Sequence, residues 1–283
     1  MNKSAPIGIF DSGLGGLTVA RELASALPNE SFIYVGDTAR CPYGPRDLDE
    51  VQRYVREICT FLQDKGVKLI IIACNTATAA GLKLAQREFD VPVIGVIEPG
   101  ARAAVRATRN RRVGIIGTAG TIESGVYSKA ICALDAGATV YSVATPTFVD
   151  MVEEGLALNG DHHDVYVPSA FYEIARDYLD GLRKNEVDTL VLGCTHYPLL
   201  KNPIHQVMGS DVVLVSSAEE TARDVLSTLQ RRGNEAREDT VSSYEFYTTG
   251  DPDRFEILGS RVFGRPLVKL ELLASTELES LIN

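Results

Sequence analysis

Residues 67–79 read VKLIIIACNTATA. A run of Val, Leu and Ile of this kind is the composition of a strand buried on both faces, as in parallel sheets. Cys74 closes the run, and the residues after it turn to a helix-start composition. The thiol is therefore expected at the C-terminal edge of a strand, where open α/β sheets bind their ligands. Backbone N–H groups of the following helix turn favour negative charge and should lower the thiol from about 8.5 toward neutrality. The plain alternative is a small buried hydrophobe, the commonest role of free cysteine.

Working outward, the same alternation fills the chain. PIGIF, SFIYVG and PVIGVI accompany VKLIIIAC in the first third, separated by helix-length amphipathic segments at 17–27, 47–65 and 76–88. RRVGIIG, ATVYSVA, VDTLVLGC and DVVLVS continue it. Strands alternating with helices predict an α/β fold with mainly parallel sheets. The chain also repeats itself coarsely. Gly8-Ile9-Phe10-Asp11-Ser12-Gly13 opens one part and Gly114-Ile115-Ile116-Gly117-Thr118-Ala119 a second, and each is followed later by a strand ending in cysteine, Cys74 or Cys194. Two α/β domains facing each other across a cleft follow, one cysteine on each wall. A break near Glu98-Pro99-Gly100 and a return near 209–212 divide the chain into 1–98 plus 211–283 and 99–210. The late segments YEFYTTGDPDRF and PLVKLEL are expected to complete the first sheet.

Composition narrows the function. Of 283 residues, 45% are apolar and 23% charged, which calls for a packed core rather than disorder. The net charge of −10, from 38 acidic and 28 basic residues, repels phosphate backbones and anionic lipid. Nucleic acid and membrane are poor partners for such a surface. Arg109-Asn110-Arg111-Arg112 reads as a solvated loop. No apolar run approaches the roughly 20 residues that cross a bilayer, and no signal-peptide pattern opens the chain, so a cytoplasmic protein is expected. The five cysteines, widely spaced and with no C-x-x-C pair, read as free thiols and offer no zinc motif. His162-His163, flanked by Asp161 and Asp164, is discounted as a metal site, so no metal is expected.

Other candidates cluster around the strand ends. Cys194 is followed by Thr195 and by His196, which could move a proton beside the thiol. Asp11-Ser12-Gly13-Leu14-Gly15-Gly16 closes the first strand and opens a helix. A dinucleotide fingerprint fails there because Thr18 stands where the third glycine is needed. Gly117-Thr118-Ala119-Gly120-Thr121 is the corresponding turn of the second part and suits carboxylate or phosphate recognition, a simple threonine N-cap being the bland alternative. Glu153-Glu154, within VDMVEEGL, reads as a solvated helix face.

With these segments in place the sequence resembles the glutamate racemases, a cofactor-independent family that supplies D-glutamate for peptidoglycan. FDSGLGGLTV at 10–19, VGDTARCPYG at 35–44, ACNTATA at 73–79, GTAGTI at 117–122, GCTHYP at 193–198 and YTTGDPDRF at 247–255 carry the likeness in family order. The resemblance implies two pseudo-symmetric flavodoxin-like domains with the active site in the cleft between them, and no cofactor. It matches Cys74 and Cys194 to the catalytic pair, Asp11 to the carboxylate assisting the first thiol, His196 to the imidazole assisting the second, and Glu153 to a further assisting acid. It matches Ser12, Pro42, Tyr43, Gly44, Asn75, Thr76, Thr118, Thr121 and Thr195 to the positions that hold L- or D-glutamate. A homodimer is implied, its arrangement left open. Family members activated by a peptidoglycan precursor carry an N-terminal extension; the first strand here begins within a few residues of Met1, so no such activation is expected.

Overall fold

The computed structural model of the protein describes residues 2–158 and 167–282. The first stretch runs β1 (Ile7–Asp11), α1 (Leu17–Ala26), β2 (Phe32–Gly36), α2 (Leu48–Asp64), β3 (Leu69–Ile72), α3 (Asn75–Glu88) and β4 (Val93–Gly95). The second runs α4 (Ile97–Ala107), β5 (Arg112–Gly117), α5 (Ala119–Glu123), α6 (Val126–Leu134), β6 (Thr139–Ala144), α7 (Thr147–Leu158), α8 (Ser169–Lys184), β7 (Thr189–Gly193), α9 (Lys201–Met208) and β8 (Val213–Val215). The chain then returns through α10 (Ser217–Arg232), β9 (Tyr244–Thr248), α11 (Pro252–Phe263), β10 (Leu270–Leu272) and α12 (Ser275–Ser280).

Two sheets result, one ordered β10-β9-β2-β1-β3-β4 and the other β6-β5-β7-β8. Every strand pairing within them is parallel. The α/β reading therefore holds, and the coarse repeat becomes a topological one. β2-β1-β3-β4 and β6-β5-β7-β8 have the same order, with β9 and β10 added to the first sheet as expected of the C-terminal segments. In both, the chain steps to one side of its opening strand and then to the other, creating a crevice at the carboxyl ends of β1 and β3 and of β5 and β7. The five residues of each of β1, β2 and β7 are buried on both faces, which is why these runs are continuously apolar.

Local signals set the element ends. Asp47 caps α2 by accepting the Asp49 N–H at 2.8 Å. Ser216 caps α10, whose first turn carries Glu219 and Glu220 and whose last carries Arg231 and Arg232, each sign matched to the helix dipole. The DPDRF portion of the late motif is a helix start: Asp251 caps α11 and Pro252 occupies its first turn.

Two expectations at the borders are corrected. Glu98-Pro99-Gly100 is no break, because α4 runs through it from Ile97. Proline is tolerated in a first helical turn, where its missing N–H would have no helical partner. The return crossing does not fall near 209–212 either. DVVLVS supplies β8, which pairs with β7 at Thr189↔Val213 and Val191↔Val215, so it extends the second sheet and the chain crosses after it. In the Arg109–Arg112 run, Arg109, Asn110 and Arg111 form an exposed turn and Arg112 opens β5. His162-His163, Asp161 and Asp164 lie outside the described residues. No helix among the described residues is long and apolar enough to cross a membrane.

One buried ion pair holds the N-terminus and the return segment together. Lys68, at the foot of β3, lies 2.6 Å from Glu30, and their side chains are 2% and 6% exposed. The same ammonium donates to the Lys3 carbonyl at 2.7 Å and to the Asn234 carbonyl at 3.0 Å. Lys68→Ala would strand the Glu30 carboxylate in the interior and should lower stability by about 3–5 kcal/mol. Urea unfolding reads this as a lower midpoint at unchanged slope; a wild-type midpoint would show that the pair contributes nothing.

Candidate active site

Cys74 and Cys194 follow equivalent strands, β3 and β7, and both line one narrow cavity between the two sheets. From the first sheet's side come Ser12, Pro42, Tyr43, Gly44, Cys74, Asn75 and Thr76; from the second's come Thr118, Val149, Cys194, Thr195 and His196. The sequence expectation of one cysteine per wall is thus met by the geometry.

Cys74 is the N-cap of α3, its Sγ accepting the Ala77 N–H at 3.5 Å, and the Ser12 hydroxyl lies 3.9 Å away. The helix turn does not win. Burial, then the nearby Asp11 charge, push the Cys74 thiol up to about 12 against the opposing pull of Ala77 and Ser12. The expectation of a thiol lowered toward neutrality is therefore reversed. A single weak backbone donor cannot offset removal of a thiolate from water.

The Cys194 wall is built differently. Its Sγ lies 3.7 Å from His196 Nδ1, and His196 Nε2 is 2.8 Å from Glu153 Oε1 on α7. Burial alone would lower the His196 imidazole, but hydrogen bonds and attraction from Cys194 and Glu153 outweigh it and hold it well above its ordinary value. Glu153 is held below the usual carboxylate range, because the His196 bond and charge, helped by Arg254, overcome its burial. The helix-face reading of Glu153 is thereby corrected, while Glu154 beside it is exposed. No periodicity could separate the two, since the partner histidine is distant in sequence.

Asp11 does not line the cavity. Its Oδ2 accepts the Gly13 and Gly16 N–H groups at 3.2 and 2.9 Å, and its Oδ1 accepts the Thr195 hydroxyl at 3.3 Å. Burial nonetheless raises its carboxyl above the ordinary value, opposed by His196 and by these donors. Asp11 thus ties the first strand end to the Cys194 loop while its charge acts on Cys74.

Three threonines close the floor. The hydroxyls of Thr76 and Thr118 are 2.9 Å apart, those of Thr76 and Thr121 3.3 Å, and those of Thr118 and Thr121 3.0 Å. Thr118 is also the N-cap of α5, so the bland reading of that residue holds alongside the cavity-lining one. Thr121 sits behind the other two, its hydroxyl bonded to both. Tyr43 is fixed from behind by donating to Asp37, which also pairs with Arg40 and accepts the Thr249 hydroxyl. Sequence reasoning missed Val149 as a wall residue, Asp37 as the anchor of Tyr43, and Tyr127, whose hydroxyl meets Asn75. Val149 and Tyr127 stand in no pattern that marks them, and Asp37 lies within VGDTARCPYG without any local sign of its bond to Tyr43. Among the described residues no cluster of three or more His, Cys, Asp or Glu could hold a metal ion.

Residues 8–225 match the family model described as Asp/Glu/Hydantoin racemase. The chain is 48% identical over 263 residues to the glutamate racemase of Oceanobacillus iheyensis, covering 93% of this chain and 92% of that one. Among solved structures, the glutamate racemase isoform RacE1 from Bacillus anthracis superposes with a TM-score of 0.89 at 42% identity, covering 96% of this chain and 98% of that one. The glutamate racemase from Francisella tularensis, solved in complex with D-glutamate, gives 0.87 at 34% identity, covering 98% of this chain and 99% of that one.

Because Glu153, after Cys194, helps hold His196 above its ordinary value, Glu153→Gln should move the His196 titration to lower pH. The chain has only 4 histidines, so ring NMR signals followed against pH resolve it. An unmoved midpoint would remove Glu153 as a group that raises His196.

Proposed function

The chain belongs to the Asp/Glu/Hydantoin racemase family and is an amino-acid racemase, and we propose that it interconverts L-glutamate and D-glutamate by two opposed cysteine acid/base groups, without a cofactor. The observation that carries this reading is the placement of Cys74 and Cys194 on opposite walls of one cavity, at equivalent strand ends. Racemisation takes the α-proton from one face and returns a proton to the other. One thiolate abstracts while the opposed thiol donates, so each proton makes a short transfer and neither has to travel around the carbon.

The burial that keeps Cys74 protonated suits it to the donor role when L-glutamate enters. Cys194 then abstracts, with the protonated His196 placing positive charge beside the sulfur that must carry the negative one. With D-glutamate the roles exchange. Asp11 and the His196–Glu153 pair assist the first and second thiol respectively. The carbanion needs stabilisation at its α-carboxylate, and the donors available are the Ser12, Thr76 and Thr118 hydroxyls and the Asn75 amide, in a cleft that excludes bulk water. Glutamate as the substrate is supported by the relatives and structural neighbours named glutamate racemase. Supply of D-glutamate to peptidoglycan synthesis in the cytoplasm, by a homodimer, completes the reading. The two walls divide between β4 and α4 and again after β8, the C-terminal strands rejoining the first.

In deuterated water, L-glutamate should yield D-glutamate carrying deuterium at Cα, while unreacted L-glutamate stays protiated at early times. A single base returning its own exchanged proton would label both pools. L-aspartate in parallel tests the substrate, and absence of any change with glutamate would overturn the reading. Cys74→Ser and Cys194→Ser should each slow racemisation by at least about 10²–10⁴-fold, the usual contribution of a positioned proton-transfer group. Full activity in either variant excludes that cysteine.

A further inference from the structure

Asn75 is the first residue of α3 and borders the cavity with 3% of its surface exposed. The two ends of its side-chain amide are treated differently. Oδ1 accepts a 2.7 Å hydrogen bond from the Tyr127 hydroxyl, whereas Nδ2 is buried with no partner. Buried donors without a partner are rare because they forfeit their bonds to water. At the edge of a polar cavity, such an amide nitrogen is a donor kept for an acceptor that arrives from outside.

Tyr127 lies on α6 of the second half, so its hydroxyl reaches across to a residue of the first. The ring is 2% exposed. Burial pushes the phenol up, so it keeps its proton and remains a donor to Asn75. The ring packs closely on Gly100, where an added Cβ would lie 3.2 Å from both its Cε1 and its hydroxyl. An amide has two orientations of nearly equal shape and opposite polarity. Turned one way, Asn75 offers N–H donors to the cavity; turned the other, it offers carbonyl lone pairs that repel an anion.

We propose that Tyr127 is a positioning residue, whose hydroxyl holds the Asn75 amide in the orientation that turns its N–H donors toward a carboxylate of the substrate. The identity of that carboxylate as glutamate's rests on the function proposed above; the role of Tyr127 rests on this geometry. Tyr127 would thus set anion recognition without touching substrate, by removing the orientation of Asn75 that rejects it.

The test is a double-mutant cycle of Tyr127→Phe and Asn75→Ala, read by calorimetric binding of glutamate, by steady-state racemisation and by thermal unfolding. Phenylalanine preserves the ring packing and deletes only the hydroxyl. Tyr127→Phe should raise Kd and KM about tenfold with a much smaller change in kcat, the pattern of lost ground-state binding through one charge-assisted bond. In the Asn75→Ala background the same substitution should change Kd and KM by less than about twofold, because coupled residues are not additive. Wild-type Kd and KM in Tyr127→Phe would overturn the proposal, even if its Tm falls, and so would an undiminished tenfold effect in the Asn75→Ala background. A wild type that binds glutamate without racemising it overturns the reaction assignment alone, since binding still decides the cycle. A wild type that binds no glutamate overturns both.

Discussion

Parallel strands joined by helical crossovers must bury both faces of the sheet, and the whole architecture answers to that constraint. Here it is met twice, with β1 between β2 and β3 and β5 between β6 and β7. Reversal of strand order at β1 and β5 opens a gap between crossovers at the carboxyl ends of those strands. Asp11, Cys74, Thr118 and Cys194 all stand at such ends. The site is therefore a consequence of topology before any of its side chains is considered, and its two-sidedness comes from two similar sheets facing each other.

Close approach of the halves depends on two missing side chains. A Cβ on Gly15 would lie 2.4 Å from the Thr195 hydroxyl and 2.8 Å from His196 Nδ1. A Cβ on Gly44 would lie 2.7 Å from Thr118 Cβ. Neither contact can be relieved without moving the residues that line the cavity, so the glycines in FDSGLGG and CPYG act as spacers between halves as well as turn formers.

Burial dominates the electrostatics and makes the two thiols unequal. At Cys74 a nearby carboxylate adds to the desolvation, and one helix N–H with one serine hydroxyl cannot balance them. Cys194 has beside it an imidazole that the Cys194 bond and then Glu153 hold well above its ordinary value. The asymmetry between pseudo-symmetric halves thus arises from what lies behind each sulfur, Asp11 in one case and the His196–Glu153 pair in the other. The buried Lys68–Glu30 pair obeys the same rule away from the site, its charges held by each other and by backbone carbonyls.

Much of this was legible in the sequence. The apolar runs and their helical spacers determined the α/β class, and LIIIAC and LVLGC placed two thiols at strand ends, because buried parallel strands leave a local signature in Val, Ile and Leu. Partners distant in the chain left none. Thr195 reaching Asp11, His196 reaching Glu153, and Tyr127 orienting Asn75 join residues separated by 184, 43 and 52 positions, and only packing brings them within a hydrogen bond. The same limit explains the errors. Pro99 looked like a break because its tolerance in a first helical turn depends on where the helix starts, and DVVLVS could have joined either sheet until β7 claimed its edge. The sequence by itself determined which residues end strands. The direction of the Cys74 shift, the orientation of the Asn75 amide and the facing of the two cysteines were decided by the tertiary structure, since desolvation and long-range hydrogen bonds exist only once the halves have closed on one another.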